Sequence, residues 1–431
     1  MTAPLALGVA GLGTVGAGFL RLLAEQSEVM ARRAGRPIQV VAVSARDRMR
    51  DRGTDISAFR WHDDPVALAA DPAVAVVVEL IGGADGVAKT VCETAIANGK
   101  PVVTANKALL AIHGADLAKR AEAAKVPLYF EAAVAGGVPI VKALREGLAG
   151  NSFRRVFGIL NGTSNYILTQ MQESGRDFQS VLDEAQGLGY AEADPSFDID
   201  GVDAAHKLAI LTSLAFNCPV DFSAVHVEGI RHVSALDIAF ARELGYRIKL
   251  LAITQATANG IAQRVHPCMI DAESPIAHVD GVFNAVVAEG NFVDRTMFVG
   301  RGAGAGPTAS AVAADIVDLA AARQAPPFGV PASKFGRFEA APMDRHRGPY
   351  YVRLMVYDRP GVIADIAAVL RDERISIESL IQRGRAAPGQ AVPVVMITHE
   401  TEEAAMVKAL EKIGHLATVC ERPRMIRIEG L

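Results

Sequence analysis

The sequence predicts an α/β protein with more than one domain, and three patterns along its 431 residues support this fold class. Apolar strand patterns alternate with helical patterns over residues 1–150, which is typical of a doubly wound parallel sheet. Mixed strand and helix patterns over residues 151–303 indicate a separate α+β domain. Residues 350–431 follow the order strand, helix, strand, strand, helix, strand, which predicts a small ferredoxin-like unit.

Composition and charge argue against several classes of protein. The formal net charge of −4 and the pI near 6.2 provide no basic excess for binding nucleic acid or an anionic membrane. The four cysteines are scattered without paired spacing, which argues against a disulfide framework or a zinc site and favours a reducing compartment. No apolar run reaches the roughly 18 to 20 residues that span a bilayer, and the N-terminal sequence does not resemble a signal peptide. We therefore expect a cytoplasmic protein without nucleic-acid or membrane partners.

Near the N-terminus, a buried strand, a glycine-rich turn and a helix are predicted in succession. The turn carries GxGxxG at Gly11, Gly13 and Gly16. In this context the first glycine permits the tight turn, the second lets a pyrophosphate approach the backbone, and the third lets the helix pack on the strand. The helix start, with Thr14 and Val15, then faces the phosphates. The pattern predicts a Rossmann-type dinucleotide site, and an ordinary strand–helix turn is the alternative.

The end of the second strand bears on the choice of cofactor. A Rossmann fold that selects NAD usually places an acidic residue here, where this chain has Ser44, Ala45 and Arg46. A hydroxyl and a guanidinium suit a 2′-phosphate, so NADP is favoured over NAD. NAD stays possible, because Asp47 can compete for the ribose and Arg46 can be a plain surface arginine.

Two further segments are predicted to face the same ligand. Lys107 follows a short strand, at the sheet edge where open α/β folds bind their ligands. A second glycine-rich turn around Gly304 leads into a helix near residues 304–324. The start of that helix is another candidate contact for a phosphate or a nicotinamide, and we expect the helix to pack back on the first domain.

Two turns have roles that the sequence leaves open. The turn from Glu131 to Val138 contains backbone carbonyls without obvious partners, which could coordinate a hard cation or belong to a plain structural turn. Residues 161–166, NGTSNY, are predicted as a polar turn that could line the site, although turn chemistry alone explains most of them.

The stretch from residue 185 to 207 is the most informative in the chain. Glycines and Pro195 predict a loop up to Gly201, and apolar spacing predicts a helix from Val202 to Phe216. Asp203 and Lys207 are four residues apart and therefore share one face of this helix. The stretch also gathers several ionisable residues in a short span: Glu192, Asp194, Asp198, Asp200, Asp203 and Lys207.

Three interpretations of this charge cluster are possible. A solvated loop is the general expectation for charged residues. A calcium loop of the EF-hand type would place Lys207 at the twelfth position, where a bidentate glutamate is required, so we reject it. The third interpretation is an amino-acid substrate site, in which carboxylates bind an ammonium group and a lysine exchanges a proton with a reacting oxygen.

Taken together, the motifs resemble the homoserine dehydrogenase family, with a C-terminal region similar to ACT domains. The resemblance spans essentially the whole chain, and its most specific part is the stretch GYAEADPSFDIDGVDAAHK. It is carried also by the segments GLGTVG, ELIGG, TANK, FEAAVAGGVPI, NGTSNYIL, GRGAGAGPTASAV and DRPGV. It implies four regions: a Rossmann domain (1–150, completed by the helix near 304–324), a catalytic substrate and dimerisation domain (151–303), a linker (325–349) and an ACT regulatory domain (350–431).

The resemblance implies NAD(P)-dependent interconversion of L-aspartate 4-semialdehyde and L-homoserine, in threonine and methionine biosynthesis. By this analogy Lys207 is the proton donor and Asp203 holds it. Lys107 contacts both cofactor and substrate near the reacting oxygen. Two lysines in proximity lower one another's pKa, which suits proton transfer nearer neutral pH.

The resemblance also implies the remaining ligand contacts. Glu192 and Asp198 would bind the substrate ammonium, with Gly189 in the substrate pocket. A structural sodium ion would be held by the backbone carbonyls of Glu131, Val134, Gly136 and Val138. The family pattern further implies a homodimer or homotetramer, and an amino-acid effector at the ACT domain.

Two rival functions would require different residues. Aspartate-semialdehyde dehydrogenase forms a thioester and needs a nucleophilic cysteine in a polar turn, a setting that none of the four cysteines has. A non-catalytic amino-acid sensor with a nucleotide-binding domain belongs to a different class of protein. Such a sensor would have no need of Lys107 and Lys207 together.

Overall fold

The fold is described from a computed structural model, which covers residues 3–337, 339–383 and 390–431. The predicted linker contains residue 338 and the predicted ACT domain contains residues 384–389, which lie outside the described residues. No helix in the described part of the chain combines the length and the apolar character needed to cross a bilayer.

The N-terminal part forms a six-stranded parallel sheet with helices on its faces. Its strands are β1 (Leu5–Ala10), β2 (Ile38–Ser44), β3 (Arg60–His62), β4 (Val76–Glu79), β5 (Val102–Thr104) and β6 (Leu128–Tyr129). Its helices are α1 (Thr14–Ala34), α2 (Pro65–Ala70), α3 (Val87–Ala97) and α4 (Lys107–Ala124). The strand order β3-β2-β1-β4-β5-β6 is that of the Rossmann fold, and it reverses between β1 and β4. The predicted doubly wound sheet is therefore confirmed.

A turn region connects this sheet to the second domain. It comprises a 3₁₀ turn (Glu131–Ala133), the short helix α5 (Ile140–Lys142) and a π-helical turn (Ala143–Gly147). The second domain contributes strands β7 (Phe153–Ile159), β8 (His226–Val227), β9 (Tyr246–Thr257), β10 (Gly260–Asp271), β11 (Phe283–Gly290) and β12 (Asp294–Arg301). Its helices are α6 (Gly162–Ser174), α7 (Phe178–Gly187), α8 (Ser196–Ile199), α9 (Val202–Phe216) and α10 (Ala235–Glu243).

The chain then returns to the first domain before it enters the last one. Helix α11 (Ala305–Ala320) packs closely on α1, because a Cβ atom at Gly18 would lie 2.9 Å from the Ala305 carbonyl oxygen. The C-terminal strands are β13 (Arg347–Gly348), β14 (Tyr350–Tyr357), β15 (Ile377–Gln382), β16 (Ala391–Thr398), β17 (Thr401–Glu402) and β18 (Arg424–Glu429). Helices α12 (Val362–Asp372) and α13 (Glu403–Gly414) complete the ferredoxin-like unit.

The C-terminal unit shares a sheet with the second domain, a feature that the sequence did not predict. The mixed sheet runs β12-β11-β7-β9-β10-β18-β14-β16-β15 without a break. Strand β18 pairs in parallel with β10, with Cys268 opposite Arg427 and Ile270 opposite Glu429. The two units are therefore joined by backbone hydrogen bonds as well as by the chain between them.

Buried ion pairs reinforce this junction. The Arg427 guanidinium donates to Glu228 at 2.9 Å and to Glu403 at 3.0 Å, so it connects β18 to the second domain and to α13. Arg264 on β10 lies 3.0 Å from Glu429 on β18. Glu228 is partly exposed, but the other four charges are withdrawn from water, and their mutual pairing is what makes their burial tolerable.

The segment predicted as a linker packs against the folded domains. Phe328 is fully buried, with its ring centroid 5.0 Å from that of Phe130. The backbone N–H of Ala332 donates to the Glu122 carboxylate at 3.0 Å. The density of proline and glycine in this segment predicted a linker, and it carries no information about such packing.

The buried ion pairs at the junction lead to a test of stability. We expect Arg427→Met to destabilise the protein by about 3–5 kcal/mol, because Glu403 would stay buried without its cationic partner. Arg345→Met is the matched control, since it removes an exposed arginine that lies 3.2 Å from Glu402, and should change stability by less than about 0.5 kcal/mol. Denaturant unfolding of both variants measures the difference, and equal effects would contradict the account.

Candidate active site

The glycine turn after β1 has the geometry that a dinucleotide requires. Gly11 has φ of 104°, and a Cβ atom there would lie 2.5 Å from the carbonyl of Leu80. A Cβ atom at Gly16 would lie 2.1 Å from the Gly11 carbonyl oxygen, so this glycine allows α1 to start against the turn. At Gly13 a Cβ atom would meet nothing within 4 Å, which leaves space for a pyrophosphate. Thr14 begins α1 at this opening.

A cavity of about 620 Å³ lies beside this turn, at the end of β2. Arg46, Arg50 and Arg52 line it, together with Gly11 and Gly13. The Arg52 guanidinium donates to the Leu12 carbonyl at 3.2 Å, which ties the arginine-rich segment to the glycine turn. Arg46 was predicted here, whereas Arg50 and Arg52 were missed, since the sequence alone does not show that the segment folds back on the turn.

The start of α4 is held by a chain of hydrogen bonds from β4 and β5. Glu79 at the end of β4 accepts from the Thr104 hydroxyl at 2.5 Å and from the Ile81 N–H at 2.7 Å. Asn106 caps α4 by accepting from the Leu109 N–H at 3.0 Å. Lys107 is the first residue of the helix, where its positive charge is unfavourable to the helix dipole. Its position is therefore not explained by helix stability and points to a partner elsewhere.

That partner is Asp203, in the first turn of α9. Lys107 Nζ lies 2.5 Å from Asp203 Oδ1, and Lys207 Nζ lies 2.7 Å from Asp203 Oδ2. Lys207 also donates to the Leu160 carbonyl at 2.7 Å. The side chains of Asp203 and Lys207 are 3% and 8% exposed, whereas that of Lys107 is 35% exposed. One buried carboxylate thus joins two ammonium groups from two domains.

The electrostatics of this group follow from burial and charge. Burial alone would raise the pKa of Asp203, but the charges of Lys207 and Lys107 outweigh it and hold the pKa well below the ordinary aspartate value. Burial lowers the pKa of Lys207; Asp203 opposes the shift in part, and Lys107 adds to it. The charge of Lys107 contributes to the lowered pKa of Lys207, as the family resemblance implied, but burial is the larger cause.

Asp198 lies beside this group at the end of α8. Asn161 donates to Asp198 Oδ1 and to Asp203 Oδ2, both at 2.8 Å. The Thr163 hydroxyl shares its one proton between the Tyr190 carbonyl at 2.8 Å and Asp198 Oδ2 at 3.1 Å. Burial, followed by the charge of Asp203, raises the pKa of Asp198. Asp198 is therefore a carboxylate held at the edge of the lysine pair.

The other carboxylates of the stretch do not converge on Lys207, contrary to the clustering that the sequence suggested. Asp200 pairs with Arg231, with 2.9 Å between the carboxylate and the guanidinium. Asp194 accepts from the Ser196 N–H at 3.1 Å and so fixes the local turn. Glu192 is exposed, and so is Gly189, which has φ of 74° just beyond α7.

The predicted cation turn is buried and touches the second glycine turn. All four residues with the proposed carbonyl ligands are buried: Glu131, Val134, Gly136 and Val138. The Glu131 and Val138 carbonyls also accept backbone hydrogen bonds, from Val134 at 3.5 Å and from Ile140 at 2.7 Å. A Cβ atom at Gly136 would lie 2.6 Å from the Gly302 carbonyl oxygen. Gly304, with φ of 120°, caps α11 close by.

Several residues of the site were not predicted or were predicted differently. NGTSNY is helical from Gly162 onward, with Asn161 as the cap of α6, because the Asn161 side chain accepts from the Ser164 N–H and starts the helix. Phe197 lies under Lys107, with Nζ 5.5 Å from the ring centroid. His206 packs between Phe197 and Phe222, at 5.5 Å and 4.4 Å between ring centroids. No sequence pattern marks these ring contacts.

A Rossmann sheet with an open glycine turn, together with two lysines that share one buried carboxylate at its ligand-binding edge, defines a class of protein. That class is the nicotinamide-dependent oxidoreductases, in which a cofactor exchanges hydride and nearby side chains exchange the proton.

Comparisons with known proteins identify the family within this class. Residues 11–131 match the family model described as "Homoserine dehydrogenase, NAD binding domain", residues 139–317 match "Homoserine dehydrogenase", and residues 350–415 match "ACT domain". The chain is 46% identical over 434 residues to homoserine dehydrogenase of Neisseria gonorrhoeae, and 44% identical over 434 residues to that of Pseudomonas aeruginosa, covering 99% of each chain.

Solved structures agree with these matches. A homoserine dehydrogenase from Thiobacillus denitrificans superposes with a TM-score of 0.93 at 44% identity, over 99% of this chain and 98% of that one. The chain therefore belongs to the homoserine dehydrogenase family, and it is an oxidoreductase that acts on a CH–OH group. The resemblance predicted from the motifs is confirmed, and the interpretation as a non-catalytic sensor is not supported.

The glycine turn yields a test of the cofactor site. We expect Gly13→Ala to weaken dinucleotide binding by about tenfold or more, roughly 1.4 kcal/mol, because the added methyl group occupies the space for the pyrophosphate. Its thermal midpoint should match the parent's, since the methyl group meets no protein atom. Gly16→Ala serves as the contrast, because its methyl group clashes with backbone and should lower the midpoint as well. A Gly13→Ala protein with unchanged affinity would contradict the assignment.

Proposed function

We propose that the protein interconverts L-homoserine and L-aspartate 4-semialdehyde through acid–base catalysis by Lys207. The observation that carries this proposal is the Lys107–Asp203–Lys207 group, with Asp203 and Lys207 buried, at the ligand-binding edge of a dinucleotide fold. A bound nicotinamide would accept hydride from the alcohol carbon, or deliver it to the aldehyde carbon. The protein must bind the substrate, exclude water and move one proton at the reacting oxygen.

Lys207 is suited to that proton transfer. Two of its three possible N–H donors go to Leu160 and Asp203, which leaves the third for the substrate oxygen. During homoserine oxidation the neutral amine accepts the hydroxyl proton, so the rate rises as the pH passes upward through the pKa of this lysine. During reduction the ammonium form donates the proton, and the rate falls over the same pH range. Because the pKa of Lys207 is lowered, the rise of the oxidation rate and the fall of the reduction rate both occur closer to neutral pH.

Lys107 and Asp203 support this exchange from the other domain. Lys107 is partly exposed at the carboxyl edge of the parallel sheet and is paired with Asp203, so its charge can stabilise the developing alkoxide and attract the cofactor. Asp203 balances both lysines and orients Lys207. We assign Lys107 to both the substrate and the cofactor contacts, as the family resemblance implies.

We assign binding of the substrate ammonium group to Asp198 and Glu192, and we place Gly189, which lies just before them in the chain, in the substrate pocket. Asp198 supports this role through its position beside the lysine pair and its fixed hydrogen bonds to Asn161 and Thr163. Glu192 is exposed, and its contribution therefore depends on the loop closing over bound substrate.

NADP is the cofactor that the arginines favour. Arg46, Arg50 and Arg52 line the cavity at the end of β2, and guanidinium groups suit a 2′-phosphate. A hyperthermophilic archaeal homoserine dehydrogenase, 26% identical with a TM-score of 0.63, was solved in complex with NADPH. Contacts at Thr14, Val15, Gly16 and Gly304 complete the proposed site, and NAD binding stays possible through Asp47.

The remaining assignments follow the family resemblance. A sodium ion on the carbonyls of Glu131, Val134, Gly136 and Val138 fits the buried turn, in which oxygen ligands suit a hard cation. We further propose an amino-acid effector at the ACT domain, a homodimer or homotetramer, a cytoplasmic location, and a place in threonine and methionine biosynthesis.

Steady-state oxidation of homoserine by the purified protein tests the proposal. Turnover with NADP that exceeds turnover with NAD supports both the reaction and the role of Arg46. Absence of turnover with either cofactor would contradict the reaction. Threonine added to the same assay tests the effector role of the ACT domain.

The role of Lys207 is tested by its removal. We expect Lys207→Ala to lower kcat by about 10² to 10⁴-fold, the usual contribution of a general acid or base, with NADP affinity nearly unchanged. Lys249→Ala is the matched control, because it removes another buried lysine of the same domain that lies 2.8 Å from an aspartate. That control should lose stability yet keep kcat within about twofold. A Lys207→Ala protein that loses NADP affinity would refute this placement of the residue.

A further inference from the structure

The side chain of Asn161 connects two carboxylates that the proposed function uses for different tasks. Its Nδ2 group donates one hydrogen to Asp198 Oδ1 and the other to Asp203 Oδ2, with both distances at 2.8 Å. Its Oδ1 atom accepts from the Ser164 N–H at 2.8 Å. Asn161 is 4% exposed, so all its polar atoms find their partners inside the protein.

These hydrogen bonds fix the positions of both carboxylates, Asp198 and Asp203. The Ser164 hydrogen bond determines which way the amide points, because only Oδ1 can accept it and Nδ2 must then face the carboxylates. Asp203 keeps Oδ1 for Lys107 and shares Oδ2 between Lys207 and Asn161. The amide thus occupies the space in which the two carboxylates would otherwise approach each other.

We propose that Asn161 is a positioning residue that holds Asp198 and Asp203 apart as two separate anions, one for the substrate ammonium and one for the lysine pair. The proposal rests on the proposed function, since it assigns a purpose to each carboxylate. Two neighbouring carboxylates without such a donor tend to share a single proton, and one of them is then neutral. A neutral Asp198 would bind an ammonium group poorly.

The charged groups around Asp198 determine the sign of the effect. Asp203 and Lys207 face it from α9, Lys107 reaches Asp203 from α4, and Thr163 donates to it from α6. Burial and Asp203 favour the protonated form of Asp198, whereas Asn161, Thr163 and Lys207 favour the anion. Loss of the Asn161 donor therefore raises the pKa of Asp198. In the reductive direction Lys207 governs the alkaline limb, so the acidic limb of kcat/KM for aspartate 4-semialdehyde reports Asp198 and moves to higher pH.

Two substitutions separate this role from that of capping α6. Asn161→Ser keeps a good helix cap, but its shorter hydroxyl has one proton and cannot bridge two carboxylates. Asn161→Asp keeps the length and the capping acceptor, and replaces the donor by a third carboxylate. The matched control is Asn151→Asp, the same change at a remote residue that donates to Leu148 at 3.1 Å and accepts from Val293 at 2.9 Å.

The kinetic experiment is the pH profile of aspartate 4-semialdehyde reduction by the full-length protein with NADPH, the direction in which the Lys207 ionisation lies on the alkaline limb. We expect Asn161→Ser to shift the acidic limb of kcat/KM upward by about one pH unit, which is a tenfold loss on that limb, and to raise KM more than it lowers kcat. Asn161→Asp should shift it further, and Asn151→Asp should match the parent. A loss in Asn161→Ser that is the same at every pH, with the limb unmoved, would overturn the proposal.

A second measurement needs no turnover and separates this inference from the proposed function. Aspartate carboxyl carbons are labelled with ¹³C, and the Asp198 resonance is assigned by its absence in Asp198→Asn. An NMR titration should then give a higher pKa for Asp198 in Asn161→Ser than in the parent. If the pKa of Asp198 is higher in Asn161→Ser but the parent does not oxidise homoserine, the proposed reaction is wrong and the role of Asn161 is supported. If the parent oxidises homoserine but the pKa of Asp198 is the same in both proteins, only the proposed role of Asn161 is wrong.

Discussion

A buried carboxylate that joins two lysines is the constraint on which the rest of the site depends. Asp203 is almost fully enclosed, and an isolated charge there would be expensive. Its pairing with Lys107 and Lys207 makes the charge tolerable, and it also keeps two like charges close to each other. Burial, with a smaller contribution from the charge of Lys107, reduces the proton affinity of Lys207, the residue that we propose exchanges the proton.

The fold supplies the two halves of this group from different domains. Lys107 comes from the carboxyl edge of the parallel sheet, where the hydrogen bonds of Glu79, Thr104 and Asn106 fix the start of α4. Asp203 comes from α9, which lies in the second domain. The ion pair between them places the ammonium groups beside the dinucleotide cleft, and the shared sheet ties the ACT domain to the same second domain.

Much of this could be predicted from the sequence, because local patterns carry it. The glycine spacing at Gly11, Gly13 and Gly16 specified a turn that the structure reproduces, and apolar periodicity placed α9 from Val202 to Phe216. What could not be predicted depends on tertiary contacts. The pairing of β18 with β10 joins distant parts of the chain, and no local signal announces it. Likewise Asp198 and Asp200 look equivalent in sequence, yet the short helix α8 leaves Asp198 beside the lysines and Asp200 with Arg231.

We expect the charge of Asp203 to set the pH at which the lysine pair exchanges its proton. The most direct measurement is the pH dependence of hydride transfer during homoserine oxidation, in single turnovers of Asp203→Asn and the parent. The neutral amide keeps the shape but removes the anion, so the pKa of Lys207 falls and the rise in rate moves to lower pH, by about one to three units. A rise at the same pH in both proteins would contradict the account.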